Sequence, residues 1–219
     1  MNRSKIEEIK SLVNSRGAEL LVVSKNRPLE QIEFLYDMGF RKMGENRVQS
    51  LLEKKDKLPE NIQWHIIGHL QRNKVKYIAP FVTLIHSVDS ISLLKEIQKQ
   101  ALKNSRVIPI LLQFKVAHED SKFGLDPNDL ENTLQYIDEN PFPNISIDGV
   151  MGMGTLTDDQ SVTISEFKAL KSIFDKLKGG YFKDSETFNH LSMGMSGDYE
   201  LALDIGSTIV RLGSALFED

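Results

Sequence analysis

Apolar positions in this chain follow two rhythms that alternate from one end to the other. Near the start, Ile6, Ile9, Leu12 and Val13 recur every three to four residues and predict a helix over 4–13. The run 18–25 is apolar from Leu20 to Val23 and closes on Ser24 and Lys25, as a short buried strand would. Pro28 opens a second helix, with Ile32, Leu35 and Tyr36 on one face and Gly39 as its stop. The alternation then repeats. Further strands are predicted at 41–44, 63–67, 82–86, 107–114, 145–150, 187–191 and 208–212. Helices are predicted at 47–57, from about Leu70, from a Ser90 cap to about 103, from Asp126-Pro127, at 165–177 and at 198–203. Eight strands separated by helices imply a parallel sheet. The count favours a closed (β/α)8 TIM barrel with an extra amino-terminal helix over an open, doubly wound sheet. No linker, low-complexity stretch or repeat divides the chain, so 1–219 is read as a single α/β domain.

Composition narrows the picture. With 40% hydrophobic and 26% charged residues the chain can build an ordinary core, and a net charge of −4 lacks the basic footprint of a nucleic-acid binder. There is no cysteine, which excludes a disulfide framework, a thiolate metal site and a cysteine nucleophile. The first nine residues are charged from the outset and show no signal-peptide core, and no apolar run is long enough to span a bilayer. The expectation is a cytoplasmic protein with neither membrane nor nucleic acid as partner.

Polar residues gather at the carboxyl ends of the strands, where barrels of this class bind ligands. Lys25 ends the first strand, and Arg211 lies near the end of the eighth. Barrel closure makes those strands neighbours. A buried amine there, beside a small Gly/Ser-rich anion site, suits an aldehyde-phosphate ligand. Burial would lower the pKa of Lys25 and make it a nucleophile toward aldehydes. Ser196-Gly197 and Gly213-Ser214 follow strands seven and eight and supply backbone N–H groups and hydroxyls for an anion. Each residue also has a plain reading. Lys25 can be a solvated strand end, Arg211 the partner of a helix carboxylate, and Met193 and Met195 core filler. Asn46, Lys74 and Lys122 can be caps or surface charges, and Lys54-Lys55 and Asp158-Asp159 solvated surface. His65, His69 and His86 lack compact ligand spacing, so no metal is expected. Convergence on one end of one barrel favours the ligand site.

These residues sit in segments that resemble the YggS/PROSC family of pyridoxal phosphate homeostasis proteins. The matching segments include Val22-Val23-Ser24-Lys25, Gly44-Glu45-Asn46-Arg47, Trp64-His65-Ile66-Ile67-Gly68-His69 with Leu70-Gln71-Arg72-Asn73-Lys74, and His86-Ser87-Val88-Asp89. Ser121-Lys122-Phe123-Gly124, Ser192-Met193-Gly194-Met195-Ser196-Gly197-Asp198 and Ile209-Val210-Arg211-Leu212-Gly213 complete them, in the family's order along almost the whole chain. The resemblance implies a barrel like the amino-terminal domain of alanine racemase, holding pyridoxal 5′-phosphate (PLP). Lys25 matches the lysine that forms the Schiff base, and Arg211 the arginine facing the pyridine nitrogen. Ser196, Gly213 and Ser214 match the phosphate-binding positions, with Asn46 at the cofactor's edge and Met195 in the same pocket. His69, Lys74 and Lys122 match family motifs without an assigned role. Ser214 replaces the family's usual threonine and keeps the hydroxyl. The segment Met151-Gly152-Met153-Gly154-Thr155 lacks a proline often found there.

An arginine at the pyridine nitrogen weakens the ring as an electron sink. Related racemases take a second base, a tyrosine, from a separate carboxyl-terminal domain, whereas here few residues follow Arg211. The expectation is therefore PLP binding without robust turnover; the resemblance implies a role in cofactor homeostasis, by storage or delivery to PLP-dependent apo-enzymes as candidate recipients, and a monomer. The alternatives are a stand-alone PLP-dependent racemase or lyase, and a barrel enzyme forming a Schiff base with a sugar-phosphate-like substrate.

Overall fold

The computed structural model describes residues 1–117 and 123–218. Eight parallel strands close into a barrel in chain order: β1 (Glu19–Val23), β2 (Lys42–Glu45), β3 (Gln63–Ile66), β4 (Leu84–Val88), β5 (Ile108–Gln113), β6 (Ile145–Met151), β7 (His190–Ser192) and β8 (Ile209–Leu212). The seam is β1 against β8, with Leu21 opposite Arg211 and Val22 opposite Leu212. Helices α1 (Arg3–Ser15), α2 (Leu29–Asp37), α3 (Val48–Lys55), α4 (Arg72–Ile78), α5 (Ile91–Lys103), α6 (Leu130–Glu139), α7 (Gln160–Gly179), α8 (Tyr199–Ile205) and α9 (Ser214–Phe217) accompany them. The extra amino-terminal helix is α1. Among the described residues no helix is long and apolar enough to cross a membrane.

Strand alternation divides the core in two. Leu20, Val22, Trp64, Ile66, Val210 and Leu212 join the large cluster between sheet and helices, while Leu21, Val23, Ile67, Leu84, Leu111, Met151 and Ile209 pack inside the barrel. Each such aliphatic side chain contributes about 1.5–3 kcal/mol by its burial. Local signals set the helix starts. Asn2 accepts from the Lys5 N–H, Ser90 from the Leu93 N–H and Asp159 from the Ser161 N–H.

Several elements differ from the sequence reading: β7 begins at His190 rather than 187, and the short α9 has no predicted counterpart. The Asp159 cap starts α7 at Gln160, five residues before the expected start. Asp126-Pro127 first form a 3₁₀ turn, Pro127–Asp129, before α6 begins. Strand β4 begins at Leu84, two residues late, because the Val82 N–H still bonds back to the Ile78 carbonyl at 2.8 Å. Arg106 fastens that turn by donating to the Ala79 and Val82 carbonyls at 2.7 and 2.8 Å.

Candidate functional site

Strand β1 stops at Val23, and the chain turns at once: the Arg27 N–H bonds to the Ser24 carbonyl, and Asn26 takes a positive φ of 57°. Lys25 rides on this turn. It is exposed rather than buried, which corrects the expectation of a desolvated amine; the amine stays in water, open to an incoming carbonyl compound. Beneath it Ser24 is fully buried and donates to the Glu45 carboxylate at 2.8 Å. Glu45 is 1% exposed. Its partner is Lys54 of α3, whose Nζ lies 2.5 Å from Glu45 Oε1 and donates to the Ser24 carbonyl as well. Lys54 is therefore part of the site's support and not solvated surface, whereas Lys55 pairs with Asp56 on the outside. Asn46 follows Glu45, half-buried. The turn after β3 closes on it so tightly that a Cβ on Gly68 would lie 2.5 Å from the Asn46 carbonyl oxygen.

Arg211 points into the barrel and is 3% exposed. Its guanidinium donates to Ser192 Oγ at 2.8 Å and to the Gly152 carbonyl at 3.0 Å. Burial lowers its pKa to about 10, partly offset by Asp198, so it is a cation at neutral pH. Two histidines continue inward. His86 Nδ1 lies 3.0 Å from Ser192 Oγ, and His86 Nε2 lies 3.0 Å from His65 Nδ1. Burial drives both well down, His65 to about 3, so the pair is neutral.

The loops after β7 and β8 meet at Ser196. Its Oγ accepts from the backbone N–H groups of Gly213 at 3.1 Å and Ala215 at 3.2 Å. Backbone donors thus converge on one hydroxyl oxygen, the arrangement an anion uses. Gly194 permits this approach: its φ is +93°, and a Cβ there would come within 2.5 Å of the Ala202 Cβ. Met195 is 36% exposed, and its N–H donates to Asp198 Oδ1. Burial raises the Asp198 pKa, held back by that N–H and by Arg211. Ser214 is exposed at the start of α9.

Other expected positions lie elsewhere. His69 pairs with Asp89 at 2.9 Å and stacks on Phe123, beside a cavity of about 640 Å³ between α4 and α5 that does not include Lys25 or Arg211. Lys25, Arg211 and the N–H groups converging on Ser196 instead lie on the adjoining strands β1, β8 and β7 and the loops that follow them. Lys74 is half-buried on α4. Lys122, with Glu119 to Ser121, lies outside the described residues. Among the described residues no group of three His, Asp or Glu side chains is placed to hold a metal. Sequence reasoning missed Glu45, Lys54, Ser192 and the role of His86. A carboxylate at an inward end of a buried strand was the signal for the first.

The geometry defines a (β/α)8 barrel of the alanine racemase amino-terminal type, and the family model "Alanine racemase, N-terminal domain" matches residues 3–219. The pyridoxal phosphate homeostasis protein of Aquifex aeolicus is 40% identical over 201 residues, covering 91% of this chain and 86% of that protein. The homonymous Helicobacter pylori protein is 35% identical over 203 residues, covering 92% and 87%. The chain belongs to this family, the YggS/PROSC pyridoxal phosphate homeostasis proteins. Among solved structures, PipY of Synechococcus elongatus without PLP superposes with a TM-score of 0.89 at 31% identity, covering 98% of each chain. PipY with PLP bound gives 0.86 at 32% identity, covering 97% of this chain and 99% of that one. Alanine racemase from Bartonella henselae, at 20% identity and a TM-score of 0.72, shares the fold.

Proposed function

We propose that this chain binds pyridoxal 5′-phosphate at the carboxyl-terminal mouth of its barrel and serves cellular PLP homeostasis, by storing or delivering the cofactor, without robust turnover. The observation that carries this is the coincidence at one mouth of a free amine, a buried cation and a backbone anion cradle. Lys25 would hold the aldehyde carbon covalently. Arg211 would donate to the pyridine nitrogen. Ser196, Gly213 and Ser214 would receive the phosphate, and Asn46 and Met195 would flank the ring. PLP-bound PipY, a relative with the same fold, supports the choice of ligand.

Bound PLP supplies an electrophilic aldehyde and a ring able to withdraw electrons. The residues here favour the first use over the second. A guanidinium that stays protonated at pH 7 can donate to a ring nitrogen but cannot protonate it without losing its own charge. Ser192 and the Gly152 carbonyl hold it in that pose. The exposed Lys25 lets the cofactor enter and leave through water, as a carrier requires. We read the chain as one domain, 1–219, acting as a cytoplasmic monomer, with PLP-dependent apo-enzymes as candidate recipients.

The test is the absorption spectrum of the protein with PLP, beside Lys25→Ala, before and after borohydride. A visible band bleached by borohydride, with the adduct recovered on the Lys25 peptide and absent from the variant, is expected. A colourless protein that stays so with added PLP would overturn the reading. Deuterium incorporation at an amino acid α-carbon, sustained and lost in Lys25→Ala, would replace the carrier with an enzyme.

A further inference from the structure

The barrel has a second polar mouth. Glu19, Lys42, Gln63, Asp148 and His190 meet at the amino-terminal ends of the strands around a pocket of about 140 Å³, and the His65 imidazole forms part of its wall. His65 Nε2 is buried and has no hydrogen-bond partner among the described residues. Buried polar atoms are normally satisfied, and one that is not calls for an explanation.

The axial chain gives that atom a sign. Arg211 has donors alone, so Ser192 Oγ must accept from it. His65 Nδ1 and His86 Nε2 face each other at 3.0 Å, so one carries a proton and the other does not. Two self-consistent arrangements remain. In the first, the Ser192 hydroxyl donates to His86 Nδ1, His86 Nε2–H donates to His65 Nδ1, and His65 Nε2–H is left seeking an acceptor. In the second, every proton runs the other way. Ser192 Oγ then accepts from both Arg211 and His86, its own proton has no acceptor among the described residues, and His65 Nε2 is a lone pair without a donor. The first arrangement leaves one atom unpaired and the second leaves two.

We propose that the amino-terminal pocket is a binding site for a small neutral hydrogen-bond acceptor, a water molecule, which takes the proton of His65 Nε2 and fixes the direction of a hydrogen-bond chain ending on Arg211. The pocket suits water. A water occupies about 30 Å³ of liquid and needs two to four polar partners. The carboxylates of Glu19 and Asp148 can accept its protons. With Lys42 as the wall's one ammonium and Glu19 already paired to it, an anion would meet the Asp148 carboxylate, which accepts from Ser146 Oγ. Burial keeps His65 and His86 uncharged, which leaves their tautomers as the variable. His65, His86 and Ser192 are then positioning residues. They hold Arg211 in one hydrogen-bonding pose from the far end of the barrel, and this holds whether or not Arg211 faces a cofactor.

The experiment is NMR of the full chain labelled with ¹⁵N-histidine, without PLP, so that it does not depend on the cofactor reading. Long-range ¹H–¹⁵N correlations report the tautomers. Both His65 and His86 are expected as Nε2–H, with a cross-peak between the His65 Nε2 proton and water. In His65→Phe, which removes the acceptor of His86 Nε2–H, the same count (one unpaired atom against two) keeps His86 as Nε2–H, and its Nε2 proton, no longer hydrogen-bonded to His65, is expected to move upfield. A residue with only a packing role would leave that proton's shift unchanged. An Nδ1–H tautomer for either histidine in the unsubstituted protein would overturn the proposal, as would a His65 proton with no water contact. If His65→Phe does not fold, the signals of the unsubstituted protein decide on their own.

Discussion

Lys25 and Arg211 stand on paired strands, with Leu21 opposite Arg211 and Lys25 four residues farther toward the carboxyl end. Their surroundings are opposite. Lys25 is exposed on a turn, whereas Arg211 is buried, with donors committed to Ser192 and Gly152. A rim that exchanges its occupant, as proposed above, cannot have its amine locked into internal partners. The axial guanidinium is held by Ser192 and the Gly152 carbonyl, which take two of its five N–H donors, and is backed by a second layer of side chains. Ser24, Glu45 and Lys54 show that the rim is also supported, but from beneath and through the backbone carbonyl of Ser24, which leaves the Lys25 side chain free.

The axis is the more vulnerable part in acid. His65 and His86 have folded pKa values depressed below 6.5, so their contribution is fully present above that value and is lost as pH falls toward the folded values. Between pH 6.5 and about 3 the unfolded chain binds a proton at His65 that the native one refuses, and stability falls by about 1.4 kcal/mol per pH unit; His86 adds to the fall in the same direction. At pH 4.5 that amounts to about 3 kcal/mol for His65. Calorimetric unfolding in buffers of different ionisation enthalpy should find protons taken up at pH 5 beyond the carboxylate contribution, by His65, His86 and in part His190, whose pKa burial also lowers. No uptake there would mean that the pair is charged in the native state.

The rim's support should break more locally. Lys54→Met removes the cation from a carboxylate that is 1% exposed, and a buried pair broken on one side costs about 3 kcal/mol. Urea unfolding at pH 7 checks this. Glu45→Gln combined with Lys54→Met should recover part of the loss, because no buried charge is then left alone. A loss below about 0.5 kcal/mol for Lys54→Met would return Lys54 to the surface, in keeping with the small worth of exposed pairs.

Much of the rim could be read from the residues. The apolar run to Val23 and its polar close at Lys25, the Gly-Ser pairs after β7 and β8, and Arg211 near the end of β8 all follow from strand alternation and barrel closure. The axis could not, for a definite reason. Predicting β4 at 82–86 puts His86 at the strand's end, among the groups of the mouth. The structure starts β4 at Leu84 and so places His86 inside the barrel against His65, with an irregular β4–β5 register between Ile85 and Val88. That two-residue shift turns a candidate mouth residue into an internal one. Lys54 was illegible for another reason: its carboxylate partner lies on a strand nine residues earlier, and a lysine run on a helix does not announce which member faces inward.

The Gly194 backbone tests how far the phosphate end depends on shape. Ala at this position must adopt φ near +93° with its Cβ 2.5 Å from the Ala202 Cβ, so either the loop or α8 moves. Gly194→Ala should cost about 1–3 kcal/mol. It should also weaken PLP binding more than it weakens the fold, because the same loop carries Met195 and Ser196. Equal losses in the two measurements would separate that loop from the ligand.

The smallest effect comes from one oxygen. Ser196 Oγ gathers the N–H groups of Gly213 and Ala215, and Ser196→Ala leaves both donors without it. These groups are half-buried and near the surface, so water replaces much of the loss, and stability should drop by about 0.5–1 kcal/mol. Ligand binding is the sharper readout. If the Ser196 hydroxyl donates to a phosphate, the variant should lose about tenfold in affinity for PLP, about 1.4 kcal/mol, while pyridoxal without phosphate loses nothing. Titration of both ligands by absorbance makes the comparison on one protein. A loss shared equally by PLP and pyridoxal would move the phosphate away from Ser196. With the exposed His69 and the 640 Å³ cavity on the same face, the β3–β4 side of the mouth would then be the next place to look.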